Sequence, residues 1–271
     1  MMATRTGDSA LVEQLRQDLA RGTSDLPALT RGVTEALRLA RMPGLDFDEV
    51  ARVAASDPPL SARVVSVANS ALYARAGMPP IVSVHRAAVR LGTQATRDVL
   101  FQVAYASMFV DAPRFRDLIE ATFQHGVRVA RGARLLASER TVDPDVAFLS
   151  GLLHDIGRAR CWKLLAKRRS HMEMAAAVAA VDELHAAAGA ELSAAWHLPD
   201  EVVETCEWHH DPGDRCWPQI VAAADAVSHW DDGPATQEAA RGRILGASVP
   251  SDRVDHLAER LRKEMQVPQD P

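Results

Sequence analysis

The sequence predicts an all-α protein, a two-part helical bundle, and three observations carry that prediction. Alanine, leucine and arginine are abundant whereas aromatics make up only 5% of the 271 residues, a composition that favours helix over strand. Apolar residues recur at three- and four-residue spacing, the period of a helix with one face turned to a core. Proline and glycine punctuate the chain between these periodic segments.

Taken in order, a first short helix is expected from Ser9 to Arg21, with Leu11, Leu15 and Leu19 four residues apart. Leu26-Pro27 opens a new segment. Ser56-Asp57-Pro58-Pro59 reads as a capped helix start with proline in the first turn, and the helix after it sets Leu60, Val64, Val67 and Ala71 on one face. A segment from Val84 through Ala88 to Leu91 stops at Gly92, and Thr93 can cap the next. Asp111-Ala112-Pro113 is a natural break, followed by an amphipathic stretch from Phe115 to Leu136. Thr141-Val142-Asp143-Pro144 is a second break. Val146 to Leu165 is a strongly apolar helix or helix pair interrupted by Gly151 and Gly157. Further helices are expected at about 173–196, 199–209, 216–230, 235–246 and 251–265. The expected division is an N-terminal helix (1–22), an N-terminal helical subdomain (23–112), a second helical subdomain (113–247), and a C-terminal helix and tail (248–271).

Composition also excludes. A net charge of −5 without a basic stripe gives no electrostatic footprint for nucleic acid. Cys161, Cys206 and Cys216 form neither a disulfide framework nor a C-x-x-C pair, and read as small apolar residues. No apolar run reaches the roughly 18–20 residues a bilayer crossing needs, and the N-terminus lacks a signal-peptide stretch. A cytoplasmic location, without membrane association, is the expectation. The modest charge bias and exposed helices make a homodimer reasonable.

The sharpest local feature is Gly151-Leu152-Leu153-His154-Asp155-Ile156-Gly157. Ionisable groups in an apolar segment are costly unless paired or bound to a metal. An imidazole beside a carboxylate suits a divalent first-row ion, although a helix-end cap with its own ion pair would also produce the pair. Four more helices each contribute to the pattern: His125, His185, the pair His209-His210, and Asp225. Helices packed in a bundle can bring such residues to one central site. Adjacent helical residues point about 100° apart. Both members of a pair can therefore be ligands only around two ions or at a helix end.

The order His125 … His154-Asp155 … Asp225 resembles the ligand order of the HD superfamily of metal-dependent phosphohydrolases, and His185 with His209-His210 extends it as in HD-GYP phosphodiesterases. More specifically, Leu26-Pro27, Ser56-Asp57-Pro58-Pro59-Leu60-Ser61, Ala68-Asn69-Ser70-Ala71-Leu72-Tyr73 and Ala87-Ala88-Val89-Arg90-Leu91-Gly92 resemble the opening of HDOD domains. Ala147 to Gly157 and Trp196-His197-Leu198-Pro199 fit the same family, and the resemblance covers roughly residues 20–230. It implies a regulatory module of bacterial signal transduction, working through a signalling protein partner or a nucleotide or phosphate ligand, with an active phosphohydrolase or phosphodiesterase as the alternative. It implies one or two divalent transition-metal ions (iron, manganese, nickel or zinc). His125, His154, Asp155 and Asp225 would serve one ion, His185, His209 and His210 a second, and Asp155 would bridge.

Two departures stand out. Arg158 occupies the place where HD-GYP enzymes carry a lysine; with Asp155 it is the candidate catalytic residue, able to clamp a phosphate. The Gly-Tyr-Pro loop is absent, which argues against cyclic di-GMP as substrate. The other histidines (His85, His171, His197, His229 and His256) read as structural or exposed, and Asn69 as a residue with a satisfied interhelical hydrogen bond. Trp196, Trp208, Trp217 and Trp230 read as core or interface residues near the site.

Overall fold

The computed structural model describes residues 3–21, 31–40, 42, 44–73, 79–107, 112–168 and 172–265. Leu26-Pro27, Asp111 and His171 lie outside them. Among the described residues there are helices and no strand, and they fall into two compact units.

One unit lies within residues 27–110 and contains α2 (Arg31–Ala40), α3 (Phe47–Ala55), α4 (Pro58–Asn69) and α5 (Val84–Ser107). Its starts follow the capping chemistry of the sequence. Asp46 accepts from the backbone N–H groups of Asp48 and Glu49, and Asp57 accepts from Leu60 at 3.0 Å, meeting donors that a helix start leaves unpaired. The buried stripe of α4 is Leu60, Val64 and Ala68; Ala71 falls beyond the helix end and is exposed. The expected stop at Gly92 is a kink inside α5, where φ is +75°, a conformation costly for any residue with a Cβ. Asn69 does not bridge two helices. Its side-chain amide donates to Ile81 O and its carbonyl accepts from Ile81 N–H, both at 2.8 Å, pinning the segment ahead of α5.

The other unit contains α1 (Ala3–Arg21), α6 (Arg116–Glu139), α7 (Pro144–Leu153), α8 (Ile156–Ala166), α9 (Met174–Ala195), α10 (Asp200–Trp208), α11 (Cys216–Ser228), α12 (Pro234–Gly246) and α13 (Val254–Met265). Here α1 packs on α8 and α9, burying Leu15 and Leu19. The buried guanidinium of Arg160 ties the two parts, donating to Ala188 O and Leu19 O and pairing with Glu191 at 2.9 Å. A second apolar core joins α6, α11, α12 and α13 through residues such as Leu136, Ile220, Ile244 and Leu261, with Trp217 and Trp230 packed against it.

Gly151 and Gly157 do not interrupt the 146–165 stretch as the sequence suggested. Both lie within helices, and the break falls at His154-Asp155, between α7 and α8. The glycines serve close approach instead. A Cβ at Gly151 would stand 2.8 Å from Ala130 Cα, and one at Gly157 would stand 1.9 Å from His185 O. Helix α7 can therefore lie against α6, and α8 against α9, almost backbone to backbone.

Candidate metal centre

Placing the His-Asp pair at a helix junction decides what both side chains can reach. His154 ends α7 and Asp155 precedes α8, so the two are free of the 100° separation of a continuous helix. His209 and His210 likewise follow the last residue of α10. His125 lies in the third turn of α6, His185 in α9 and Asp225 in α11. All seven predicted ligand residues converge. Ligand atoms of Asp155, His185, His209 and His210 lie within 4.8 Å of one another, as do those of His125, His154 and Asp155.

The proton positions follow from the backbone. His154 Nδ1 is 2.8 Å from Gly151 O. His185 Nδ1 is 3.1 and 2.9 Å from the carbonyls of Val181 and Asp182, and His209 Nδ1 is 3.2 and 3.0 Å from those of Thr205 and Cys206. A carbonyl only accepts, so each Nδ1 carries a proton, and a ring with no second proton offers a lone pair at Nε2. Those Nε2 atoms face Asp155: His185 at 3.2 Å and His209 at 3.5 Å from Oδ1, His154 at 3.8 Å from Oδ2. Asp155 Oδ1, His209 Nε2 and Asp225 Oδ1 are buried and make no hydrogen bond. Lone pairs aimed at a carboxylate repel, and a cation between them reverses the sign of the interaction. Ligands held about 2.1 Å from one ion lie about 3.0–3.4 Å apart, close to these spacings. The donor set fits a divalent metal.

Charge states fit as well. Burial pushes the His154 imidazolium down to about 4, opposed by Asp155 and assisted by His209 and His125. Burial, with His209 and His185, does the same to His210, also to about 4. Burial works against the Asp155 carboxylate, but His154, the contacts from His185 and His209, and Arg158 hold it well below its usual range. Asp225 is held at about 2, burial being outweighed by His125. At neutral pH Asp155 and Asp225 are thus ionised, and His154 and His210 are neutral.

A pH prediction follows. A histidine whose folded pKa is depressed from about 6.5 contributes stability above 6.5 that is lost as pH falls toward 4, on the order of 3 kcal/mol for His154. The carboxylates keep their contribution until lower pH, so the histidines set this window. Calorimetry with a chelator present should show the unfolding midpoint falling between pH 7 and 4.5, and bound metal should leave over the same range because protons compete for the same nitrogens. A flat midpoint would contradict the assigned neutral imidazoles.

Arg158 is engaged. Its Nε donates to Asp155 Oδ2 at 2.9 Å and its Nη1 pairs with Asp182, so it orients the carboxylate as the structure stands. His85 lies 3.4 Å from Asp48 in the other unit, and His197 and His256 are exposed. His229 is exposed, as expected of it, and it also adjoins the cluster. It stands at the end of α11 with Nε2 3.8 Å from Asp225 Oδ1. Its position four residues after Asp225 was the available signal, since i and i+4 share a helix face.

A helical bundle that gathers H…HD…D residues from its helices defines a protein of the HD type. The comparisons narrow this: the HDOD domain family matches residues 26–212, and the chain belongs to that family. Among solved structures, a candidate metal-dependent phosphohydrolase of Shewanella amazonensis SB2B superposes with a TM-score of 0.68 at 19% identity, covering 96% of this chain and 100% of that one. A Geobacter sulfurreducens HDOD domain protein of unknown function superposes with a TM-score of 0.58 at 22% identity, covering 97% and 100%. A candidate signal transduction protein of Marinobacter aquaeolei VT8 gives 0.63 at 21%, covering 94% and 65%. These likenesses speak for the fold alone. Among curated proteins, a ribonuclease Y of Thermus thermophilus is 33% identical over 107 residues, 39% of this chain and 16% of that protein. Ribonuclease Y of Clostridium novyi is 33% identical over 140 residues, 50% and 22%. The chain thus spans about a fifth or less of these curated relatives. No helix among the described residues is long and apolar enough to cross a membrane.

Proposed function

We propose that this chain is a signal-transduction module built round a retained, two-ion HD-type metal centre, and that it acts through regulatory contact with a protein partner. The observation that carries the metal reading is the trio of His154, His185 and His209. Each is tied through Nδ1 to its own helix, and each has Nε2 within 3.8 Å of an Asp155 carboxylate oxygen. Asp155, His185, His209 and His210 would hold one ion; His125, His154 and Asp225 would hold the other, with Asp155 reaching both. The regulatory reading draws on the HDOD family and on Arg158, whose pairing with Asp155 and Asp182 leaves it orienting a ligand instead of facing a phosphate.

A second reading, metal-dependent hydrolysis of a nucleotide or phosphate ester, is favoured by the completeness of the ligand set. Bound divalent ions would supply Lewis acidity and lower the pKa of water. The test is turnover by protein shown to contain metal. On the regulatory reading, protein loaded with manganese, iron or nickel releases no product from bis-nitrophenyl phosphate or from a nucleotide panel beyond the metal-free control. Turnover that disappears in the His154→Ala/Asp155→Ala variant would overturn it in favour of the enzyme. Protein that takes up none of these ions would sink the metal reading itself.

A further inference from the structure

The cluster extends past the residues of the HD pattern. His229 follows the last residue of α11, one turn after Asp225, and lies beyond the span matched by the family. Two imidazoles approach Asp225 Oδ1: His125 Nε2 at 3.1 Å and His229 Nε2 at 3.8 Å, with ring centroids 5.7 Å apart. That oxygen is buried and accepts no hydrogen bond. The far side of His229 is already committed. Its Nδ1 lies 3.2 Å from Asp232 Oδ2, in the 3-10 turn Trp230–Asp232. An ionised carboxylate only accepts, so the contact keeps the proton on Nδ1 and leaves the lone pair of Nε2 toward Asp225. Carboxylate-to-imidazole pairing of this kind orients metal-ligating histidines.

We propose that His229 is a metal ligand, holding a divalent first-row ion at the rim of the site together with His125 and Asp225, while Asp155, His185, His209 and His210 hold the inner ion. The proposal rests on the metal reading above and adds to it a ligand and a division of labour. One atom from each of the three rim residues already lies within 4.8 Å of the others. Toward Asp225, His229 Nε2 must close from 3.8 Å to the roughly 3.0–3.4 Å separation of atoms sharing an ion. The two positions differ in access. The His229 side chain is 54% exposed, whereas those of His185 and His209 are 1% exposed. The rim ion is therefore the weaker and faster-exchanging of the two.

Manganese titration of the full chain, followed by the paramagnetic resonance signal of free Mn²⁺ and by elemental analysis after desalting, tests this. The expected wild-type result is two ions per chain of unequal affinity. His229→Ala should lose the weaker and keep the tighter, and His229→Gln, which keeps the bulk, should do the same. Asp232→Asn should weaken the rim ion about tenfold by releasing the ring, and His256→Ala should behave as wild type. If His229→Ala and His229→Gln bind both ions with unchanged affinity, the assignment of His229 is overturned while the metal centre stands. A wild-type chain that binds no Mn²⁺ overturns both.

Discussion

Replacing Asp155 by alanine should abolish the stabilisation that metal confers on the fold. Three imidazole Nε2 atoms converge on this carboxylate, and it is the side chain common to two of the ligand groups. Its loss removes the negative charge that both ions would share, and affinity should fall by at least about two orders of magnitude. A ligand that binds only the folded state, at 100 times its dissociation constant, stabilises by about 2.7 kcal/mol. For a unit of this size that corresponds to a rise of about 5–10 °C in the unfolding midpoint. Wild type should show that rise with Mn²⁺ and Asp155→Ala should not, as measured by calorimetry with and without chelator. The variant in chelator reports on the competing role. If Asp155 served chiefly as an ion-pair partner for Arg158, its removal would cost about 3–5 kcal/mol without metal present, and the metal response would be unaffected.

The second large effect is steric. Gly157→Ala places a methyl group 1.9 Å from the carbonyl oxygen of His185 and 2.5 Å from the backbone nitrogen of Gly189. Both are backbone atoms, so a rotamer change cannot relieve the clash, and α9 must move off α8. A cost of about 3 kcal/mol or more is expected, read as a lower midpoint in urea unfolding. Because His185 rides on α9, the same displacement pulls its Nε2 away from Asp155, and the inner ion should be lost together with stability. Gly242→Ala is the internal contrast. It lies within α12 with nothing inside 4 Å of the added Cβ, so the gain in helix propensity should stabilise by up to about 1 kcal/mol. Equal effects from the two substitutions would remove the close-packing account of α8 and α9.

These two residues also show which parts of the molecule the sequence discloses. The His-Asp pair and its partners were legible because ionisable residues stand out against apolar helices, one cluster per helix. The helix start at Asp57 was legible because capping is local chemistry, and the breaks at Gly92 and at 141–144 were legible because glycine and proline mark them. The role of Gly157 was not, since a glycine that breaks a helix and one that admits a neighbouring backbone look alike in a single chain. The break itself fell two residues earlier, at a position with no glycine or proline to mark it. His229 escaped for a related reason: its spacing from Asp225 is visible, but its approach to His125 depends on how α11 lies against α6. Likewise, nothing local announces that Arg158 will be shared between Asp155 and Asp182, the second of them 24 residues away.

The anchoring of α1 on α8 and α9 has a consequence for the order of events during synthesis. Helix α1 has its partners far along the chain: Arg16 pairs with Glu183, 167 residues away, and Leu19 O accepts from Arg160, 141 residues away. Until α8 and α9 have both been made, Leu15 and Leu19 lack the full surface they pack on. Closing so long a loop costs free energy that grows only with the logarithm of its length, so the finished fold tolerates the arrangement. The nascent chain bears it as waiting time: the helices of residues 31–107 can pack while α1 stands by, and the unit that carries the candidate ligands closes late. Non-local contacts of this kind slow folding more than they weaken the product, so α1 should dock in one of the last steps of refolding.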